Sequence, residues 1–348
     1  MPDFRLFRVL DQDIPKKYRE QYYALIQQFD EEKYGHLPPS LEYYRIMHAL
    51  PKEDGKEFKI TLLVNKDDLV IGFGMQGWNT KYDQLQSGWM NLYVTPSYRR
   101  KGLGNRILKV LVQRFPEEVT TLRAYPIEYT PGYFFYQQFK DEPNSESFLV
   151  EADLREFNVE EIRKLAIQYE EKANLSGYKI LYARNEEFGD NFPLEEFVAL
   201  TEEIANAIPR GEISFEKRTH SAERYLKRIE RHIHAGYDMI SFIAIQAKTN
   251  QPVGFTTVVI NRYYPWQAEQ KHTGVTPEHR GKKLGITLKY QALLYLLEKT
   301  EVRYWITNTN KINKHMQRIN EILKHKVTGT ECGFEFKKDE LLKALEKV

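Results

Sequence analysis

One eleven-residue pattern occurs twice in this chain of 348 residues. Val94-Thr95-Pro96-Ser97-Tyr98-Arg99-Arg100-Lys101-Gly102-Leu103-Gly104 aligns without a gap on Val275-Thr276-Pro277-Glu278-His279-Arg280-Gly281-Lys282-Lys283-Leu284-Gly285, at a constant offset of 181 residues. In both copies a proline stops a strand, a basic turn follows, and apolar residues then recur at helical spacing. That stripe is Leu103, Ile107, Val110, Leu111 and Phe115 in the first copy, and Leu284, Leu288, Ala292 and Leu296 in the second. Upstream, Ile71-Gly72-Phe73 meets Val253-Gly254-Phe255 once one residue of gap is allowed. A repeat of so long a period confines the fold to two copies of one strand-turn-helix unit.

The surrounding pattern is α/β. Apolar runs at 58–64 and 69–78, separated by Asn65-Lys66-Asp67-Asp68, predict a hairpin. Further strands are expected at 89–94, 119–125 and 148–154, with a short aromatic helix at 131–139. The second half repeats the order, with helices at 159–172, 194–207 and 222–234 and strands at 239–247, 252–260 and 273–275. The expected domains are 1–155 and 156–348.

Composition removes several classes of function. Lys plus Arg is 51 against 49 for Asp plus Glu, a net charge of +2, which disfavours a protein that coats nucleic acid. No apolar run approaches the roughly 20 residues of a membrane helix, so no membrane partner is expected. Cys332 is the only cysteine, and the start of the sequence has no basic region followed by an apolar one. A reducing cytoplasm is the expected location. His232-x-His234 lacks further ligands at a recognised spacing, so no metal site is expected.

A basic, glycine-containing turn ahead of a helix is suited to a phosphate group. Free N–H groups and the positive end of the helix dipole favour an anion there, glycine lets the backbone come close, and Arg99, Arg100 and Lys101 add charge. The sequence has neither GxxxxGK[ST] nor GxGxxG, which disfavours a nucleoside triphosphatase.

With these residues the chain resembles the GNAT superfamily of acyl-CoA-dependent N-acetyltransferases, whose pyrophosphate motif is [RQ]-x-x-G-x-[GA] after a strand. Arg99-Arg100-Lys101-Gly102-Leu103-Gly104 satisfies it, while Arg280-Gly281-Lys282-Lys283-Leu284-Gly285 has Lys283 in place of the first glycine. The segment 307–323 resembles the strand-to-helix segment of tandem GNAT proteins, without their closing Leu-Gly-Phe, because Lys324 follows Leu323. The resemblance implies two tandem GNAT-like folds, each a mixed α/β sheet splayed between its fourth and fifth strands. It implies that acetyl-CoA enters the splay. Its expected contacts are Leu92, Tyr93, Val94 and the loop Arg99, Arg100, Lys101, Gly102, Leu103 and Gly104 in the first half. In the second they are Gly274, Val275, Arg280, Gly281, Lys282, Lys283, Leu284 and Gly285, with Asn308 and Asn313.

Acetylating an amine needs a neutral amine, donors for the oxyanion and a proton for the departing thiolate. The resemblance points to Tyr136, in Gly132-Tyr133-Phe134-Phe135-Tyr136-Gln137, as the acid; the matching stretch of the second half has Asn320. On the fourth strand Asn91 corresponds to His272, a candidate base. The other reading of Tyr136 is a core tyrosine, and of His272 a structural or merely exposed histidine. The expected acceptor is an amine of a small molecule or peptide, lined by 35–49 and 192–216, whose acidic residues point to a cationic acceptor. A non-catalytic acyl-CoA sensor is the competing function.

Overall fold

The computed structural model describes residues 4–10, 14–35, 38–188 and 194–347; the ends of the two expected acceptor stretches at 36–37 and 192–193 lie outside them. The chain forms two compact units. The first joins residues up to Ser147 with Arg210–Lys217 and the stretch from Gly329 onward; the second joins Phe148–Pro209 with Arg218–Thr328. A single cut after residue 155 does not reproduce these units. The last strand returns to the first unit, and 148–153 stand beside a strand of the second.

In the first unit β1 (Phe4–Leu10), β2 (Lys56–Asn65), β3 (Val70–Asn79) and β4 (Ser87–Val94) are antiparallel neighbours. β5 (Thr121–Ala124) runs parallel to β4, and the chain's final strand β12 (Lys326–Lys337) pairs antiparallel with β5. The β2–β3 turn follows from Asn65, whose Oδ1 accepts from the N–H groups of Asp67 at 3.0 Å and Leu69 at 2.9 Å. Asp68 takes the left-handed conformation that closes the turn. Helices cover both faces. α1 (Lys16–Tyr34) and α2 (Leu41–Ala49) bury Tyr18, Tyr22 and Leu25 against Leu62, Val64 and Phe73. α3 (Leu103–Arg114), α4 (Pro131–Gln137) and α10 (Lys338–Glu346) enclose a core with Ile107, Leu111, Leu122, Tyr136 and Phe334.

The second unit has the same plan. From the 148–153 part of β6 (Ser145–Asp153) the order is β11 (Tyr304–Asn310), β10 (Gln267–Val275), β9 (Pro252–Asn261), β8 (Tyr237–Gln246) and β7 (Tyr178–Arg184). Only β10 and β11 among the registered pairs of this unit are parallel. α5 (Val159–Leu175), α8 (Leu284–Lys299) and α9 (Lys314–Ile322) pack on one face around Leu288, Leu293 and Trp305. α6 (Leu194–Ala207) and α7 (Ala222–His234) pack on the other, around Phe197, Ile229 and Phe255. Both sheets are thus mixed, with helices on each side. The missing glycine after α9 is replaced by geometry, since Lys324 itself takes a φ of 56° where the helix ends.

Candidate active site

Each sheet opens at the place the repeat marks. The parallel register of β4 with β5 runs through Ser87↔Thr121, Gly88↔Leu122 and Trp89↔Arg123, and stops there. That of β10 with β11 runs through Gln267↔Tyr304, Ala268↔Trp305 and Glu269↔Ile306, and stops likewise. Beyond these points 90–94 keep their antiparallel partners, as do Gln270 and Thr273–Val275 on either side of a bulge, and both turn a backbone edge without a registered strand partner toward the gap. Leu92, Tyr93 and Val94 lie on the first edge, Gly274 and Val275 on the second.

The two loops share one backbone. A short 3-10 turn over Pro96–Tyr98 or Pro277–His279 is followed by two left-handed positions. In the first unit these are Arg100 (φ 61°) and Gly102 (φ 70°); in the second, Gly281 (φ 78°) and Lys283 (φ 61°). Glycine therefore occupies one of the two slots in each half, but not the same one. The departure at Lys283 is matched by Gly281, and an added Cβ at Gly102 or Gly281 meets open space. Gly102 and Lys283 are the N-caps of α3 and α8, whose first backbone bonds are Arg106 N–H to Gly102 O and Thr287 N–H to Lys283 O. The N–H groups of Leu103 and Gly104, and of Leu284 and Gly285, precede those bonds and have no partner within their helices.

Side chains divide between this turn and its supports. Arg99 Nε donates to Val94 O at 2.8 Å and its Nη2 to Glu32 at 2.6 Å; Arg280 Nε donates to Val275 O at 3.0 Å. These arginines brace strand to loop, a role the charge pattern alone does not reveal. Lys282 donates to the Tyr178 hydroxyl at 2.5 Å, while Lys101 lies 5.1 Å from the Tyr98 ring centroid. Arg100 and Lys283 are exposed. Leu103 and Leu284 anchor their helices in the cores. A Cβ at Gly104 would stand 2.8 Å from Phe135, so that glycine serves helix packing, whereas Gly285 has room to spare. Asn308 is exposed on β11, and Asn313 caps α9 by accepting from Met316 N–H at 3.2 Å.

Tyr136 stands in α4 inside the first core, its ring 6.3 Å from that of Phe334 and 6.1 Å from Phe336. Its hydroxyl is buried without a hydrogen-bond partner, and desolvation raises its pKa. Gln76, buried in the neighbouring β3, also has an unpartnered amide. In the second unit Asn320 Nδ2 donates to Thr309 at 2.8 Å while its Oδ1 is unpartnered, as is Gln270 Oε1 at the start of the gap. Orphaned buried atoms of this kind call for a partner that the polypeptide does not supply. The pantetheine arm of coenzyme A, which carries amides and a sulfur, fits that requirement, and the helix N-termini at the two loops fit the pyrophosphate of coenzyme A.

Asn91 and His272 hold different positions on their strands. β4 is regular at Asn91, paired with Met75, but β10 shifts register between Gln270 and Thr273, so Lys271 and His272 form a bulge at the gap. The His272 ring is solvent-exposed at its rim, yet protein crowds it on the remaining sides. Desolvation, then the charges of Arg218, Arg228, Lys271 and His220, push its pKa down to about 4. It is neutral at physiological pH.

Sequence reasoning missed the acid pair of the first unit and a lysine of the second. Asp30 and Glu331 are both raised in pKa by burial, with Lys33 between them and 3.6 Å from Glu331. Tyr44 donates to Asp30 at 2.6 Å. Lys289 is buried with its Nζ unpartnered, 4.8 Å from the Trp305 ring centroid, and burial pushes its pKa down to about 7. The offset of 181 maps it onto Leu108, so the alignment already held that signal. His232 and His234 each contact the carbonyl four residues earlier, and no metal-ligand cluster occurs among the described residues.

Residues 19–138 match the acetyltransferase (GNAT) family. No curated protein sequence matches the chain. Among solved structures, a tandem GNAT protein from the clavulanic acid biosynthesis pathway is similar over 96% of this chain and 98% of its own, with a TM-score of 0.73 and 18% identity. A GCN5-related N-acetyltransferase from Sphaerobacter thermophilus covers 97% of both chains at a TM-score of 0.63 and 14% identity. N-myristoyltransferase of Saccharomyces cerevisiae matches 97% of this chain and 80% of its own, at 0.54 and 12%. No helix among the described residues is long and apolar enough to cross a membrane. Residues 19–138 thus match the acetyltransferase (GNAT) family, and the fold of a tandem GNAT protein extends over nearly the whole chain.

Proposed function

We propose that the chain transfers an acetyl group from acetyl-CoA to an amine, with the chemistry in the first unit. The observation that carries this reading is the unpartnered Tyr136 hydroxyl, set in the unit whose loop matches the complete motif. Bound acetyl-CoA supplies an activated thioester. The N–H groups opening α3 hold its phosphates, Arg99 fixes the loop to Val94 and Glu32, and the edge of 90–94 pairs with its amides. Tyr136 keeps its proton at physiological pH, because desolvation opposes the phenolate, and so offers an O–H to a departing sulfur. Acetyl as the transferred group is supported by the match of residues 19–138 to the acetyltransferase (GNAT) family.

Thiol release from acetyl-CoA in the presence of a panel of small amines and peptides tests this. Release with at least one amine, and loss of it in Tyr136→Phe, is the expected result. Tight coenzyme A binding without release for any amine would instead establish the non-catalytic sensor. Release that stops in His272→Ala and persists in Tyr136→Phe would move the chemistry to the second unit.

A further inference from the structure

The bulge at Lys271-His272 lies beneath a group of basic residues that the acetyltransferase reading leaves unused. Three elements bring them together. β10 turns out Lys271 and His272 at the bulge. α6 fixes the segment before α7: the Asn206 amide accepts from Arg218 N–H at 2.9 Å and donates to Arg218 O at 3.0 Å, and Thr201 Oγ1 is 3.0 Å from His220 Nδ1. α7 carries Arg224 and the exposed Arg228, whose guanidinium lies 5.1 Å from the Tyr225 ring centroid. α6 itself is seated on β10, since a Cβ at Gly274 would come within 2.5 Å of Ile204.

Opposing charges are fewer. Glu269 pairs with Lys271 at 2.5 Å, and Glu202 accepts from His220 N–H at 2.6 Å. Arg218, Arg224, Arg228 and Lys271 gather here with Glu202 and Glu269 among the described residues, and both histidines are held toward the neutral form, chiefly by desolvation and then by arginines. The surplus is positive. A face that gathers cations next to a gap in a sheet, with its backbone held by side-chain clamps, is complementary to an anion.

We propose that the α6–α7 face of β10 in the second unit binds a small organic anion, a carboxylate- or phosphate-bearing amine, with Arg228 and Lys271 as its principal cations. This runs opposite to the cationic acceptor that the acidic residues of 192–216 pointed to. The cause is position: Glu202 is turned to the His220 backbone N–H, while Arg228 and Lys271 stand around His272 at the bulge. The site needs no chemistry in this unit and stands independently of where acetyl transfer occurs.

Calorimetry on the full chain, saturated with coenzyme A so that the phosphate loops are filled, tests it with O-phosphoethanolamine, β-alanine and ethanolamine. The expected result is that phosphoethanolamine or β-alanine binds at least tenfold more tightly than ethanolamine, which separates an anion site from a general amine site. Which of the two anions binds better identifies phosphate or carboxylate. Arg228→Glu and Lys271→Glu should each weaken that binding tenfold or more without changing coenzyme A affinity. Lys227→Glu, on the same helix but paired with Glu223, should leave it unchanged. Equal binding of the three probes, or equal binding by the Arg228 and Lys271 variants, overturns the proposal. Failure of coenzyme A to bind would count against the acyltransferase reading, while the same probes titrated without it still decide the anion site.

Discussion

The two halves repeat one backbone and differ in what they place on it. Both loops need two left-handed residues, and each half puts glycine at one and a basic residue at the other. The lesson is that the motif describes a backbone path: a reading that follows the glycine in one slot scores the second loop as defective, although its path is intact. Beside the openings the halves diverge further. The first has an orphaned tyrosine hydroxyl and a half-buried Asp30–Lys33–Glu331 group; the second has Asn320, a cationic bulge and a buried lysine where the first has Leu108. A shared path with different side chains is what a duplicated unit shows once its two copies are no longer held to the same chemistry.

The largest expected effect breaks the shared path. Gly102→Asp should weaken coenzyme A binding in the first unit by on the order of 10²-fold or more, because a carboxylate at a helix N-cap repels the phosphate and a side chain in the left-handed region costs about 1 kcal/mol. Gly281→Asp should do the same in the second unit alone. Calorimetric titration of both variants, read for stoichiometry as well as affinity, checks it; two undiminished sites in either variant would remove the loops from the cofactor site.

Next is Lys289. Its folded pKa lies near 7, below the ordinary lysine value, so the unfolded chain binds the extra proton across the interval between them. Stability should therefore rise with pH from about 7 toward the ordinary lysine range, and below 7 the penalty is complete and flat. At about 1.4 kcal/mol per pKa unit this is on the order of 5 kcal/mol. Lys289→Leu, which copies Leu108, should be the more stable protein at pH 7, with the slope abolished. Urea unfolding between pH 6 and pH 10 reads both. A variant less stable than the parent would show that the lysine has a favourable partner when folded.

Much of this architecture is legible locally. The helix expected at 222–234 has the bounds of α7, because Ser221 caps it through Arg224 N–H and its apolar face is periodic. The hairpin is marked by Asn65 and Asp68, and the shared path of the two loops by the repeat itself. The return of β12 to β5 was not legible, since Phe334↔Ala124 joins residues far apart in sequence and neither strand carries a local sign of its partner. The residue pattern places this strand at 273–275 and the resemblance at 271–275, whereas β10 begins at Gln267, because 267–272 are polar and the bulge breaks their alternation. The roles of Arg99, Asn313 and Gly104 were hidden for a related reason: bracing, capping and close packing use the same residue types as phosphate binding.

Tyr136→Phe asks whether the halves differ in chemistry. Turnover should fall on the order of 10²-fold while coenzyme A affinity is kept. Removing an unpartnered buried hydroxyl should leave stability unchanged or raise it by up to about 1 kcal/mol, since no hydrogen bond is lost. Thiol-release kinetics and thermal unfolding of the same variant separate the cases. Unchanged turnover with higher stability would make Tyr136 a core residue and leave the first unit without its acid.

The smallest effect tests why glycine changed slots. Lys283 holds a φ of 61° as the N-cap of α8, a conformation that glycine adopts without the clash a Cβ brings. Lys283→Gly should therefore stabilise the chain by up to about 1 kcal/mol, a rise of roughly 2–4 °C in Tm for a unit of this size. Gly102→Lys should cost a similar amount at the matching position. Because Lys283 is exposed and Gly281 already gives the turn its freedom, coenzyme A affinity in the second unit should fall by less than tenfold in Lys283→Gly. Differential scanning calorimetry with a parallel coenzyme A titration decides the point. No gain in Tm together with a large loss of affinity would mean that the lysine is kept for its charge on the phosphates, and that the second loop is a working cofactor site in its own right.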